Sequence, residues 1–300
     1  MALVESITRR RNTPQSGTSW ISSKKRKHPS SRALGRIVKN DAAKLRGALG
    51  DYLLRGGYMA TLDLPASDGM MLMQEYAYRT VAMDVVERYN LRTPQIAASF
   101  LNRCIASSGR ELSVNKVVNE YKSRGASTSR ETLSNLLSYY EEAYLVFSLG
   151  DLSRSLADNP RSSSKVYAVD PGMFTAFSRA ASKEQGQRLE TAVFNKLRRA
   201  APQARSGSLA RLAFEHEGSL HEVDFVMGDA LLGDMFELVQ VSIDLANPKT
   251  RRRELAALEA AMEKYGVRES TVVTMDSEET VEMSSGTVRV VPAWKWLLDE

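Results

Sequence analysis

The chain has 300 residues, 43% of them hydrophobic and 26% charged, which suits a folded protein with room for two cores and excludes disorder throughout. Its longest apolar runs, such as Tyr144 to Leu149, fall far short of the roughly 18 to 20 residues of a membrane-spanning helix. Its first twenty residues lack the apolar stretch of a secretory signal, so a cytoplasmic protein with no membrane partner is expected. The single cysteine, Cys104, excludes an intrachain disulfide and a cysteine metal site. The formal charge of +5 is unevenly spread: residues 1–50 hold twelve Lys and Arg against two acids, a net +10. The other 250 residues hold 29 bases and 34 acids, a net −5, so the basicity says little about what the folded part binds.

Residues 1–32 are rich in Ser, Thr, Pro and basic residues without apolar periodicity, and predict a disordered basic tail around Lys24-Lys25-Arg26-Lys27. A helical lead-in follows over 33–92. Its first helix carries Leu34, Val38, Leu45, Leu49 and Leu53 and is stopped by Gly56-Gly57; a second is expected over Tyr76 to Tyr89.

Residues 93–170 predict a winged helix-turn-helix. One helix carries Ile96, Phe100 and Leu101 and ends near Gly109. The next opens at Ser113, with Val114, Val117, Val118 and Tyr121 on its apolar face, and turns at Ser123-Arg124-Gly125-Ala126. The third starts at a capping box, Thr128-Ser129-Arg130-Glu131, and turns Leu133, Leu136, Leu137, Tyr140 and Tyr144 inward. Two strands, Leu145 to Leu149 and Val166 to Val169, flank a loop at Asp158-Asn159-Pro160-Arg161 and would form the wing. On the third helix Ser129, Arg130, Ser134, Asn135 and Ser138 face outward and are candidate DNA contacts. From Thr93 to Gly150, six bases meet five acids, so isolated DNA binding by this part would be weak.

After a boundary at Pro171-Gly172 the pattern over 171–300 is that of an α/β domain. A helix over Gln185 to Ala200 has Leu189, Val193, Phe194 and Leu197 inward, and strands follow at Leu209 to Phe214, Glu222 to Met227 and Met235 to Val241. A helix over Thr250 to Tyr265 and strands at Thr271 to Met275 and Thr287 to Val291 complete it.

None of the 18 glycines is followed by lysine, so there is no phosphate-cradling P-loop, and no G-x-G-x-x-G occurs. The histidines, His28, His216 and His221, form neither a zinc spacing nor part of a serine-hydrolase motif. The remaining constellation is Glu190 on the first helix of the α/β domain, Asp224 on its second strand and Gln240 with Ser242 on its third. That is the layout of a PD-(D/E)XK nuclease site, in which the acids would hold Mg²⁺. Here the (D/E)-x-K slot reads Gln240-Val241-Ser242, without its carboxylate or its lysine, so Mg²⁺ held by Asp224 and Glu190 would be held weakly and no cofactor is required. In the alternative reading Asp224 and Gln240 hydrogen-bond within the sheet.

The stretches YLLRGGY (52–58), DVVERYN (84–90), SVNKVVNEYKSRG (113–125), ETLSNLLSYYEEAYLVFSL (131–149), KVYAVDPGM (165–173), EVDFV (222–226), ELVQVSIDL (237–245) and WKWLL (294–298) resemble the C-terminal half of archaeal and bacterial AAA-type ATP-binding proteins. The resemblance covers about residues 45–300. It implies a winged-helix segment followed by a PD-(D/E)XK-like domain, with Glu190, Asp224 and Gln240 at its nuclease-like positions. It also implies an ATPase module of roughly 200 residues before YLLRGGY, where this chain has a basic stub; truncation, a split gene or a standalone protein would each account for it, truncation most economically. The expected function is a DNA-associated, non-ATPase portion with a degenerate, inactive nuclease-like domain. A Mg²⁺-dependent DNA endonuclease and the interaction half of a split ATPase are the alternatives, and DNA and an ATPase subunit are the implied partners.

Overall fold

A computed structural model describes residues 42–152, 164–178, 184–200, 209–228 and 237–299. The basic tail, the loop at Asp158 to Arg161 and the start of the strand at Met235 lie outside the described residues. The fold is mixed α/β, with a three-stranded and a six-stranded sheet. Among the described residues no helix is long and apolar enough to cross a membrane.

Helix α1 (Ala42–Arg55) buries Leu45, Leu49 and Leu53 and stops where Gly56 adopts φ 75°. Helix α2 (Ala66–Thr80) runs directly into a π-helical stretch, Val81–Glu87. It begins ten residues before the expected Tyr76, because Ser67, Asp68 and Gly69, which read as loop formers, occupy its first turn. An acid there suits the helix dipole, and Gly69 packs against Thr61, where an added Cβ would lie 3.4 Å from the Thr61 Cβ.

Helix α3 (Pro94–Ala106), the short strand β1 (Arg110–Leu112), α4 (Val114–Ser123) and α5 (Arg130–Glu142) are followed by β2 (Val146–Leu149) and β3 (Ser164–Ala168). The strands form an antiparallel sheet in the order β1-β3-β2. Strand β1 was not expected: three residues, two of them charged, carry no readable alternation. The cap of α5 is Ser129 and not Thr128; the Ser129 hydroxyl accepts the Thr132 N–H at 3.1 Å. The faces of α3, α4 and α5 meet around Phe100, Leu101, Val117, Leu133, Leu136 and Tyr140.

Pro171-Gly172 opens helix α6 (Pro171–Phe177) rather than a turn, since Pro fits the first helical position and Asp170 caps it. Helix α7 (Gln185–Ala200) then precedes β4 (Leu209–His216), β5 (Ser219–Met227) and β6 (Glu237–Val241). Helix α8 (Pro248–Tyr265) leads to β7 (Glu269–Thr274), β8 (Glu279–Met283), β9 (Gly286–Pro292) and the single turn α9 (Ala293–Trp296). The large sheet runs β4-β5-β6-β7-β9-β8, with β6-β7 and β7-β9 parallel and the other pairs antiparallel. Helix α8 covers one face through Leu255, Leu258 and Met262 against Leu238, Val272 and Val288. Helix α7 covers the other through Leu189, Val193 and Phe194 against Phe225, Val239 and Val273.

Helix α7 was expected to bury one apolar stripe, but Arg188, Thr191 and Asn195 are buried too. Their partners lie in the small sheet and the segments around it. Thr191 Oγ1 lies 2.8 Å from Ser108 Oγ, Asn195 donates to the Ala168 carbonyl at 3.0 Å, and Arg188 Nε donates to Thr175 Oγ1 at 2.9 Å. The helix is wedged between the two sheets, and the apolar cluster around it draws on both sides of residue 170: Leu45, Leu149 and Tyr167 with Leu197, Phe225 and Trp294.

A second tie joins distant segments. The buried Asp170 carboxylate accepts the Gly172 N–H at 2.7 Å and the Gly57 N–H at 2.9 Å, which draws the end of α1 onto α6. Burial raises its pKa, and the hydrogen bonds from Gly57 and Gly172 partly oppose this. The approach leaves no room for side chains: a Cβ on Gly172 would lie 2.4 Å from the main-chain carbonyl of Arg55. Backbone cannot swing aside as a flexible side chain does, so Gly172→Ala is expected to lower stability by about 2 to 3 kcal/mol in urea denaturation. An unchanged midpoint would contradict the close approach.

Candidate functional site

Strands β5 and β6 pair as main chain only from Phe225↔Val239 to Met227↔Glu237. One step beyond, side chains take over the ladder. Gln240 Oε1 accepts the Asp224 N–H at 3.1 Å, and Asp224 Oδ2 accepts the Val241 N–H at 3.0 Å. Asp224 and Gln240, two of the candidate site residues, thus bridge their own strands and satisfy backbone donors that the parting would leave bare. Gln240 also donates to Glu254 Oε2 of α8 at 2.6 Å, and Glu254 pairs with Arg253.

The other Asp224 oxygen faces α7 and the small sheet, where the third candidate, Glu190, lies. They do not touch each other directly but share a cation from β3. Lys165 Nζ lies 3.1 Å from Asp224 Oδ1, 3.1 Å from Glu190 Oε1 and 3.2 Å from Glu222 Oε1. Tyr167, two residues along the same strand, donates its hydroxyl to Glu190 Oε1 at 2.8 Å. Strand β3 is fixed from behind, since the wholly buried Tyr167 ring stacks on Phe194 with centroids 4.1 Å apart. Glu222 lies 3.6 Å from Arg211 Nη1, and the same atom donates to Glu111 at 2.6 Å.

Burial by itself would lower the Lys165 pKa, but Asp224, Glu190 and Glu222 outweigh it and hold the ammonium charged well above its ordinary range. Glu190 moves the opposite way for a carboxylate beside a lysine. Burial and the neighbouring Asp224 charge push it up to about 7, more than Lys165 and the Tyr167 hydroxyl recover. Burial is the larger cause, and the ammonium that Glu190 shares with Asp224 does not offset it.

These groups line a cleft of about 400 Å³, in which Glu190, Glu222, Asp224 and Glu254 face Lys165 and Arg253. The donors do not fit a divalent metal. The space between Glu190 and Asp224 is taken by an ammonium, Gln240 is committed to Asp224 and Glu254, and among the described residues no three His, Cys, Asp or Glu side chains converge as a metal site. Ser242 donates to the Asp244 carbonyl at 2.9 Å.

Sequence reasoning missed Lys165, Tyr167 and Glu254. A lysine two residues from a tyrosine in the apolar strand Lys165-Val-Tyr-Ala-Val169 was a readable signal; its approach to a strand of the other sheet was not. On α5, Arg130, Asn135 and Ser138 are exposed and Ser134 is half-buried. Ser129 is also exposed, though its hydroxyl serves the cap, and Ser138 Oγ lies 3.4 Å from the Ser134 carbonyl.

Residues 46–184 match a domain of unknown function, DUF8612. The chain is 31% identical over 265 residues to an uncharacterized protein of Methanocaldococcus jannaschii, MJ1544, an alignment covering 86% of this chain and 57% of that protein. The chain therefore spans little more than half the length of this relative. No solved structure matches.

Removing the shared cation tests the cluster. Lys165→Met leaves buried carboxylates facing one another and is expected to cost about 3 to 5 kcal/mol at pH 8, and less at pH 5, where Glu190 holds a proton. Folded Glu190 keeps its proton up to about pH 7, whereas the unfolded side chain loses it near 4.5. The native state therefore binds more protons in that window, and stability falls as pH rises across it. Glu190→Gln should remove this fall, about 3 kcal/mol; parallel pH profiles of wild type and variant in chemical denaturation would contradict the assignment.

Proposed function

We propose that this chain is a DNA-associated, non-cleaving portion of a larger ATP-binding assembly, with a winged helix-turn-helix over residues 93–170 and a PD-(D/E)XK-like domain beyond it. Supporting the first part is the order α3-β1-α4-α5-β2-β3 with an antiparallel β1-β3-β2 sheet, which places α5 as the candidate recognition helix. Supporting the second is the order α7, three antiparallel strands, α8 and a strand parallel to the third.

The observation that carries the inactive reading is the Lys165 ammonium, 3.1 Å from both Glu190 and Asp224. A nuclease of this type needs those oxygens for a divalent ion that neutralises phosphate charge. Here they are spent on an internal cation, and a cleft with four carboxylates against two cations repels a phosphodiester. Association with an ATPase subunit is favoured by the outward side of α2 and the π-helical stretch, where Met71, Tyr76, Tyr78 and Met83 stand exposed.

Two assays test the reading. Supercoiled and branched DNA incubated with Mg²⁺ or Mn²⁺ should stay intact with wild type and with Asp224→Ala alike; cleavage by wild type that Asp224→Ala abolishes would establish the endonuclease instead. Duplex binding should be modest and salt-sensitive, and Asn135→Ala should weaken it by about 1 kcal/mol or more. Equal affinity in the variant would remove α5 as the contact.

A further inference from the structure

Helix α5 ends in a common left-handed turn with an uncommon residue at it. Its last hydrogen bonds run from the Tyr144 N–H to the Glu141 carbonyl and from the Leu145 N–H to the Tyr140 carbonyl, and the residue that makes the turn, Tyr144, sits at φ 55°. That left-handed position is the one glycine fills at helix ends, because a Cβ there crowds the backbone. A tyrosine at that turn leaves 61% of its surface exposed rather than packed in the core, and strain of this kind gathers at binding positions.

Beside it lies a cation that meets no anion among the described residues. Arg198 of α7 places its guanidinium 3.7 Å from the centre of the Phe147 ring and 5.8 Å from that of Tyr144. Its buried Nε has no hydrogen-bond partner among the described residues. Phe147 stands edge-on to Tyr144, with centroids 5.6 Å apart at 82°. An exposed ring, a second ring at right angles and an arginine over that second ring together offer a stacking face next to a positive charge.

We infer that Tyr144, Phe147 and Arg198 form a binding site for single-stranded DNA, in which a base stacks on Tyr144 and the adjoining phosphate meets Arg198. A base supplies the flat apolar face and its phosphate the missing anion, and stacking on aromatics beside arginine is how strands are held without base readout. The inference rests on the DNA-associated reading above and names a contact separate from the outward face of α5.

Fluorescence anisotropy on the full chain tests it, with labelled oligothymidylate of about 15 nucleotides and, in parallel, a duplex of the same length. Tyr144→Gly is the chosen variant because glycine suits the left-handed position and the helix end is kept. It should weaken oligothymidylate binding about tenfold or more, Tyr144→Phe should leave binding intact, and Arg198→Gln should weaken it and flatten its salt dependence. Unchanged affinity in Tyr144→Gly overturns the site, and competition by thymidine monophosphate as strong as that by the oligonucleotide overturns the strand assignment. If wild type binds duplex but no oligothymidylate, this inference falls and the α5 reading stands. If oligothymidylate binds through Tyr144 while duplex does not bind, the site stands and the α5 reading falls.

Discussion

One ammonium group, that of Lys165, has to serve three carboxylates that it does not share a sheet with. Glu190 comes from α7, and Asp224 and Glu222 from β5, while Lys165 lies on β3 of the small sheet. Because buried charges are tolerated only when paired, the two halves of the molecule have to meet in this register. The rest of the interface follows from it. Tyr167 stacks on Phe194, Ser108 meets Thr191, and α7 is buried on both sides.

The same constraint explains why a nuclease-like arrangement of residues reads as a poor metal site. Gln240 in place of a carboxylate can donate as well as accept, and it does both, accepting from the Asp224 N–H and donating to Glu254. Asp224 and Gln240 thereby form a hydrogen-bonded bridge across two parting strands. The positive charge beside them comes from Lys165 of the small sheet. A cluster that satisfies itself internally has little left with which to bind a metal.

Much of the secondary structure was legible because local pattern and packing agree. Val114, Val117, Val118 and Tyr121 mark α4, and Leu189, Val193, Phe194 and Leu197 mark the sheet side of α7. The misses have physical causes. Strand β8, Glu279–Met283, is an edge strand with no fully buried residue; its alternation consists of Val281 and Met283 alone, too short to read as a strand. Asp170 turns Pro171-Gly172 from a breaker into a helix start. For the candidate site, Glu190, Asp224 and Gln240 were readable as polar residues in apolar elements. Lys165 was legible only as a charge in a strand, because what gives it meaning is the meeting of two sheets, and nothing in a linear pattern encodes that.

Lys165 fills the place between Glu190 and Asp224. The most direct measurement is an anomalous-scattering map from crystals grown in excess Mn²⁺ at pH 8, where Glu190 is ionised and metal binding is most favoured. No manganese peak is expected in the cleft, with Lys165 Nζ still within hydrogen-bond distance of both carboxylates. A peak bridging Glu190 and Asp224, with the Lys165 side chain turned away, would contradict it.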